Sequence, residues 1–311
     1  MLVGVDLGGT RCRLALAANS GEVLGRRAVD TAVDLDQEAF VEWLAAQIEI
    51  TARIDPTALS AVGIAAPGPL NASSGTLVNP PNLPKLHGLA LAAMLSARLG
   101  LPVSLGKDTN VAAAAEQALG AGRECDDFAY VTWSTGIGCG LIANARAVTG
   151  AHQAAGEIGH LVLDVDGPRC ACGGCGCSEA MASGLAIARM AEAALRAGLT
   201  TTLAASRPPV DARSVARCAT AGDAVSLEIL GRAARAFGLT MVGLINLFDP
   251  ELIVLGGGLT RSWKLLRNDV LQVLDEHPYI GKLRRPKLRL SRFGQSASLI
   301  GAVNMAKLLG P

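Results

Sequence analysis

Hydrophobic and polar residues change period several times along the chain, and each change predicts an element. Leu2 to Asp6 is a short apolar run, Gly8-Gly9 interrupts it, and Arg11 to Ala17 alternates polar with apolar positions. That pattern predicts strand, glycine turn, strand. Asn19-Ser20-Gly21 makes a second turn, and a further strand follows near Val23 to Val29. Over residues 36–53, Phe40, Val41, Leu44 and Ile48 recur at helical spacing, so a helix is expected there. Ala61 to Ala65 predicts a buried strand that runs into Pro67-Gly68-Pro69, and Asn79-Pro80-Pro81-Asn82-Leu83-Pro84 predicts an irregular loop.

The second half repeats this order. Phe128 to Trp133 is a strand, Ser134-Thr135-Gly136-Ile137-Gly138-Cys139-Gly140 a glycine turn, and Leu141 to Ala145 a returning strand. An apolar helical stretch from about Ala224 to Phe248 leads to the strand Glu251 to Leu255, which ends in Gly256-Gly257-Gly258. A repeat this long excludes a solenoid and fits a duplicated α/β lobe. The expectation is two lobes with a cleft between them, 1–106 and 107–294, with a closing helix over 295–311 returning to the first. In each copy the glycines fall where backbone N–H groups can face a phosphate.

Composition narrows the partners. A length of 311 residues with 50% hydrophobic content buries a large core, and a net charge of +1 provides no basic field for nucleic acid. The basic run Lys282 to Lys287 lacks interleaved aromatics and is read as a solvated loop before a strand. No apolar run long enough to span a membrane and no signal peptide stand out, so a cytoplasmic protein acting on a small molecule is expected. Of eight cysteines, Cys12, Cys125, Cys139 and Cys218 lie in apolar surroundings and are expected to be buried free thiols.

The other four cysteines fall between residues 170 and 177, in Cys170-Ala171-Cys172-Gly173-Gly174-Cys175-Gly176-Cys177-Ser178-Glu179. Ten residues upstream is Gly156-Glu157-Ile158-Gly159-His160. Glycine-turned cysteines with a nearby histidine are what a closed tetrahedral Zn²⁺ site requires, with His160, Cys170, Cys172 and Cys177 as ligands and Cys175 left over. Glu157 and Glu179 bracket this knuckle; each is either a helix-terminus residue or an acceptor for sugar hydroxyls, and spacing does not choose between the two. Asp6-Leu7-Gly8-Gly9-Thr10 puts a carboxylate at a strand end before turn amides, which suits Mg²⁺ and phosphate. It is neither a Walker A loop nor a dinucleotide fingerprint. Asp108, in Lys107-Asp108-Thr109-Asn110, opens an alanine-rich helix and is either its N-cap or a general base.

These pieces together resemble the ROK family of repressors and sugar kinases, most closely its bacterial glucokinases. The matching motifs are Asp6 to Thr10, Ala66 to Pro69, Pro81-Asn82-Leu83, Asp108 to Glu116, Ser134 to Gly140, Gly156 to His160, Cys170 to Glu179 and Ile253 to Gly258. The pattern C-x-C-G-x-x-G-C-x-E after E-x-G-H is the most specific. The resemblance implies the two-lobed actin-like ATPase fold (ribonuclease H-like, duplicated) and ATP- and Mg²⁺-dependent phosphorylation of a hexose 6-hydroxyl, glucose first. An N-acetylhexosamine, mannose or fructose kinase is the alternative within the class, and a non-catalytic sugar-binding or regulatory protein the alternative outside it.

By the same resemblance Asp108 is the catalytic base. Asp6 helps hold Mg²⁺, and Gly8, Gly9, Thr10, Arg11, Thr135, Gly136, Gly256, Gly257 and Gly258 surround ATP. Gly68, Asn82, Lys107, Asp108, Glu157, His160 and Glu179 surround the sugar, with one ring nitrogen of His160 on zinc. A homodimer or higher homo-oligomer is implied. Family repressors carry a helix-turn-helix domain ahead of the D-x-G-G-T motif, and here that motif starts at residue 6, so none is expected. Two positions depart from the family pattern: Lys107 replaces an asparagine that contacts the sugar, and Gln153 replaces a glycine.

Overall fold

The computed structural model describes residues 1–53, 59–206, 209–283 and 285–310; Arg284 of the basic run and Pro311 of the closing segment lie outside the described residues. It divides into two units. Unit 1 comprises Met1–Asp126, Gly140–Ala155 and Gln295–Pro311, and unit 2 comprises Asp127–Cys139 and Gly156–Gly294.

In unit 1 the strands β1 (Leu2–Leu7), β2 (Arg11–Ala17) and β3 (Val23–Asp30) form an antiparallel meander followed by α1 (Gln37–Ala52) and β4 (Ala61–Ala66). A two-residue hairpin, β5 (Leu70–Asn71) with β6 (Thr76–Leu77), precedes α2 (Leu91–Leu99), β7 (Val103–Lys107) and α3 (Asp108–Leu119). The sheet order is β3-β2-β1-β4-β7. β1 pairs in parallel with β4, Leu2 opposite Ala61, and β4 in parallel with β7.

Every residue of β1 and β4 is buried, as expected of central parallel strands covered on both faces. Val3, Val5, Val62 and Ile64 face Phe40, Leu44 and Ile48 of α1. On the opposite face Leu2, Ala15, Ala17 and Ala61 pack under α10 (Ala297–Leu309) through Leu299, Val303 and Ala306. The closing helix therefore returns to the first sheet, and it corrects the expected alternation along β2. Arg11 to Arg13 alternates, but Leu14 to Ala17 is wholly buried because α10 covers the face that a meander ordinarily leaves in water.

The approach of α10 depends on missing side chains. A Cβ on Gly63 would lie 2.1 Å from the carbonyl oxygen of Ala302, and one on Gly4 would lie 2.7 Å from the amide nitrogen of Val303. Polar ties complete the docking: Arg13 donates to the Gln295 carbonyl at 2.6 Å and Arg26 to the Ser296 hydroxyl at 3.2 Å.

The second sheet, β10-β9-β8-β11-β12, has the same order of roles as the first. It comprises β8 (Phe128–Trp133), β9 (Ile137–Ala143), β10 (Arg146–Val148), β11 (Leu252–Gly256) and β12 (Lys287–Leu290). An antiparallel pair, β9 with β10, stands on one side, and parallel pairings of β8 with β11 and β11 with β12 on the other. Between β10 and β11 come α4 (Ser178–Ala182), α5 (Gly184–Arg196), α6 (Ala212–Thr220) and α7 (Ala224–Phe248). Then α8 (Trp263–Glu276) and α9 (Ile280–Leu283) lead to β12. The basic run thus begins in a short helix rather than in the expected loop.

Trp133 stacks on Phe237 of α7 with ring centroids 3.8 Å apart and planes 4° from parallel, and its indole N–H donates to the Ala182 carbonyl at 2.8 Å. Asp223 caps α7 by accepting from the Ser226 amide at 2.8 Å, and it also accepts from the Thr201 hydroxyl and the Thr202 amide. Partial burial pushes this carboxyl up, but the donors from Thr202, Ser226 and Thr201 outweigh it and hold it well below the usual carboxylate range.

Gly63→Ala is expected to lower stability by about 2–3 kcal/mol, since helix backbone cannot yield to a methyl group as a side-chain tip can; the urea midpoint measures it. Asp223→Ala is expected to cost about 1–2 kcal/mol near neutral pH as a lost cap. Because the folded-state pKa is depressed, that contribution is present above the unfolded value of about 3.9 and fades as pH falls below it. The gap between wild type and Asp223→Ala should therefore narrow in acid.

Candidate active site and metal centre

In unit 1 the D-x-G-G-T turn leaves the end of β1. The Gly8 amide donates to the Arg11 carbonyl at 3.0 Å and the Thr31 hydroxyl donates to the Gly8 carbonyl at 2.7 Å, which closes the turn and leaves Thr10 exposed. Gly9 packs against Asn82: a Cβ on Gly9 would lie 2.5 Å from the Asn82 Cβ. The turn is thus joined to the Pro/Asn-rich loop. Arg11 lies at the exposed start of β2, 3.6 Å from Asp30.

Asp6 is almost wholly buried and forms an ion pair with Arg13, a residue that the pattern reading did not find. Burial raises its pKa, while the Arg13 guanidinium and a hydrogen bond from Ser298 of α10 oppose the rise. The only trace of Arg13 in the sequence is a cation at a position facing away from the alternating apolar side of β2.

Lys107 is the last residue of β7 and the N-cap of α3, so the helix begins at Asp108 and the N-cap reading of Asp108 is corrected by one position. The Asp108 Oδ1 accepts from the Thr109 amide at 2.7 Å. Lys107 is buried; its ammonium reaches the Ala155 carbonyl at 3.5 Å, and its Cδ and Cε pass 3.8 Å from where a Cβ on Gly68 would stand. Gly68, Lys107 and Asp108 therefore come together at the ends of β4 and β7. Gln153 takes φ +61°, in the left-handed region that favours glycine.

In unit 2 the knuckle is built by short-range hydrogen bonds. The Cys170 amide donates to the Gly174 carbonyl at 2.9 Å and the Gly176 amide to the Pro168 carbonyl at 2.9 Å. The ligand atoms of His160, Cys170, Cys172 and Cys177 all lie within 4.8 Å of one another. The Cys172 and Cys177 sulfurs are 3.7 Å apart, and the Cys170 sulfur is 3.8 Å from His160 Nδ1. A tetrahedral metal with thiolate bonds of about 2.3 Å puts its ligand atoms about 3.8 Å apart, so the residues present fit such an ion. Burial, followed by the neighbouring Cys172 and Cys170, pushes the Cys177 thiol up to about 12, while the Gly174 amide draws Cys172 down.

His160 Nε2 points the other way, 4.0 Å from Glu157, and both side chains are partly exposed. Glu157 stands at the N-cap of a single 3₁₀ turn, Ile158–His160, without capping it. Glu179 lies in the first turn of α4, where its Oε2 accepts from the Ile137 amide at 2.9 Å. Thr135 is exposed and Gly136 half-buried. Gly257 has φ +89°, and a Cβ there would lie 2.4 Å from the Trp133 carbonyl oxygen, so the Gly256-Gly257-Gly258 turn is pressed onto β8. Of the remaining cysteines, Cys12 and Cys139 are buried as expected, but Cys125 and Cys218 are only partly so, since each sits in or beside a turn at a helix end or strand start.

Two copies of a meander-and-crossover sheet, each with a glycine turn after its first strand, belong to the two-lobed actin-like ATPase class of fold. Comparison with known proteins narrows this. A model of the ROK family matches residues 2–308, and the chain belongs to the ROK family. It is 31% identical to a glucokinase of Thermotoga maritima, over 98% of this chain and 97% of that one. It is 30% identical to an N-acetylmannosamine kinase of Escherichia fergusonii, over 98% of each chain. A ROK family glucokinase from Streptomyces griseus, solved with glucose and AMPPNP, superposes with a TM-score of 0.86 at 29% identity, over 99% of both chains. A ROK family transcriptional regulator, a homolog of the E. coli MLC protein, superposes with a TM-score of 0.89 at 27% identity, over 99% of this chain and 78% of the regulator. Among the described residues no helix is long and apolar enough to cross a membrane.

The convergence of one imidazole and three thiols is expected to bind about one equivalent of a thiophilic divalent cation per chain. Cobalt substitution should produce thiolate-to-metal absorption bands, and Cys177→Ser should weaken them; a wild-type spectrum without such bands would contradict the ligand set.

Proposed function

We propose that this protein is an ATP- and Mg²⁺-dependent hexose kinase that phosphorylates the 6-hydroxyl, with glucose as its first substrate, and that it acts in the cytoplasm as a homo-oligomer. The observation that carries the reading is Asp108, whose carboxylate opens α3 with one oxygen held by the Thr109 amide, beside the buried Lys107 and Gly68. The end-to-end likeness to a glucokinase, and to a kinase holding glucose and AMPPNP, supports it.

The chemistry assigned to these residues follows from what phosphoryl transfer needs. The attacking hydroxyl must lose a proton and point in line with the phosphorus, and a fixed carboxylate can do both. We assign that proton to Asp108. Lys107, Gly68, Asn82, Glu157, His160 and Glu179 are assigned to the sugar hydroxyls. The carboxylates accept from hydroxyls, and the ammonium and the imidazole Nε2–H donate.

The turns Gly8-Gly9-Thr10-Arg11, Thr135-Gly136 and Gly256-Gly257-Gly258 are assigned to the nucleotide through their amides and hydroxyls. Mg²⁺, when bound, supplies neutralisation of charge on the transferring phosphates. Asp6 would hold it, directly or through water, and so would have to share its carboxylate with Arg13. In the knuckle Zn²⁺ is assigned to His160 Nδ1, Cys170, Cys172 and Cys177. A metal bond at Nδ1 leaves the proton on Nε2 and thereby orients the donor.

A second reading within the class, an N-acetylmannosamine kinase, is favoured by the relative of that name. A non-catalytic sugar-binding protein is the reading outside the class, supported by the regulator's likeness. An ADP-release assay across glucose, mannose, fructose and N-acetylated hexosamines separates the three. Glucose is expected to be turned over fastest, and Asp108→Asn to lower kcat by about 10²–10⁴-fold. Undiminished turnover in Asp108→Asn would remove the assigned base, and no turnover with any sugar would favour the regulator.

A further inference from the structure

Glu179 lies two residues past Cys177, the last cysteine of the knuckle. Its carboxylate crosses to the glycine turn between β8 and β9, where Oε2 accepts the Ile137 amide at 2.9 Å. Ile137 is buried and the hydrogen bond is part-buried, so this N–H depends on the Glu179 acceptor more than a fully exposed amide would. The fit around this hydrogen bond is close: a Cβ on Gly136 would stand 2.3 Å from the same oxygen.

The rest of the turn is held by the residues that follow Glu179. The Gly184 amide donates to the Ser134 carbonyl at 2.8 Å and the Leu185 amide to the Thr135 carbonyl at 3.3 Å. The α4–α5 segment therefore grips the turn at three successive peptides and leaves Thr135 exposed. Upstream, Cys177 bridges Val162 and the Ser178 amide donates to the Leu161 carbonyl at 2.8 Å, so the base of Glu179 is anchored to the knuckle itself.

We propose that Glu179 is a positioning residue for the nucleotide: its Oε2 sets the conformation in which Thr135 and Gly136 meet the phosphate chain, and it ties that turn to the metal-braced knuckle. The inference rests on the assignment of this turn to ATP. It gives Glu179 a task other than sugar recognition, and the task requires an acceptor oxygen at that position, not a negative charge.

Glutamine preserves the acceptor and alanine removes it, so the pair of variants isolates the role. With Mg–ADP as the probe in calorimetry and no sugar present, Glu179→Ala is expected to bind about tenfold more weakly, the effect of losing one hydrogen bond to a fixed amide. Glu179→Gln should bind within about threefold of wild type. Hydrogen exchange of the 134–138 amides should accelerate in Glu179→Ala and stay near wild type in Glu179→Gln. Gly136→Ala should weaken Mg–ADP binding in the wild-type background and do so less in Glu179→Ala, where the clashing oxygen is gone.

A Glu179→Ala protein that binds Mg–ADP as wild type does and keeps the turn protected would overturn the proposal. So would alanine and glutamine variants equally impaired in both measurements, because charge rather than hydrogen-bond acceptance would then be the property that matters. Failure of the kinase assignment has a different signature: wild type itself binds no Mg–ADP, while the exchange comparison still decides whether Glu179 holds the turn.

Discussion

Three thiols and an imidazole, from His160 to Cys177, are gathered so that their ligand atoms lie within 4.8 Å of one another, the spacing that a single tetrahedral cation can hold. Much of unit 2 depends on that convergence. The knuckle sets the start of α4; α4 supplies the Ala182 carbonyl that holds the Trp133 indole, and Trp133 stacks on the long helix α7. Ser178, one residue past the last cysteine ligand, pairs its hydroxyl with Thr240 in the middle of α7. Ligand geometry, sheet and helix are thus consecutive links in one packed body.

The two sheets reach the same architecture by different means of closure. In the first, α10 lies directly on backbone at Gly4 and Gly63, and Leu299, Val303 and Ala306 pack on the sheet beside that contact. In the second, aromatic stacking and a polar tie between α4 and α7 do that work. The chemistry-bearing turns follow the same logic. Each leaves the end of a buried strand whose register is imposed by its parallel neighbour, which makes the turn's position as rigid as the sheet.

Much of this was legible in the residue pattern because it is local. The meanders, the helix over 36–53 and the long helix from Ala224 follow from period-two and helical spacing, and the ligand set follows from cysteines whose spacing admits few other uses. Less local features escaped. The buried half of β2 reads as alternating until α10, nearly 300 residues away, covers it, and Arg13 reads as a solvent-facing cation until it meets Asp6. Asp108 fell one position from its expected place because an N-cap is defined by backbone angles at Lys107, which residue types alone do not specify.

By itself, then, the sequence determined the duplicated α/β plan, the family, and the four ligand candidates, since periodicity and close spacing are properties of neighbouring residues. Tertiary structure decided which oxygen meets which donor. Glu179 was equally a helix-end residue and a sugar acceptor by spacing. Only the packing of α4 against the β8–β9 turn, 42 residues earlier in the chain, brings its carboxylate to the Ile137 amide. A hydrogen bond of that separation depends on the folded distance between two elements, and no pattern within either element encodes it.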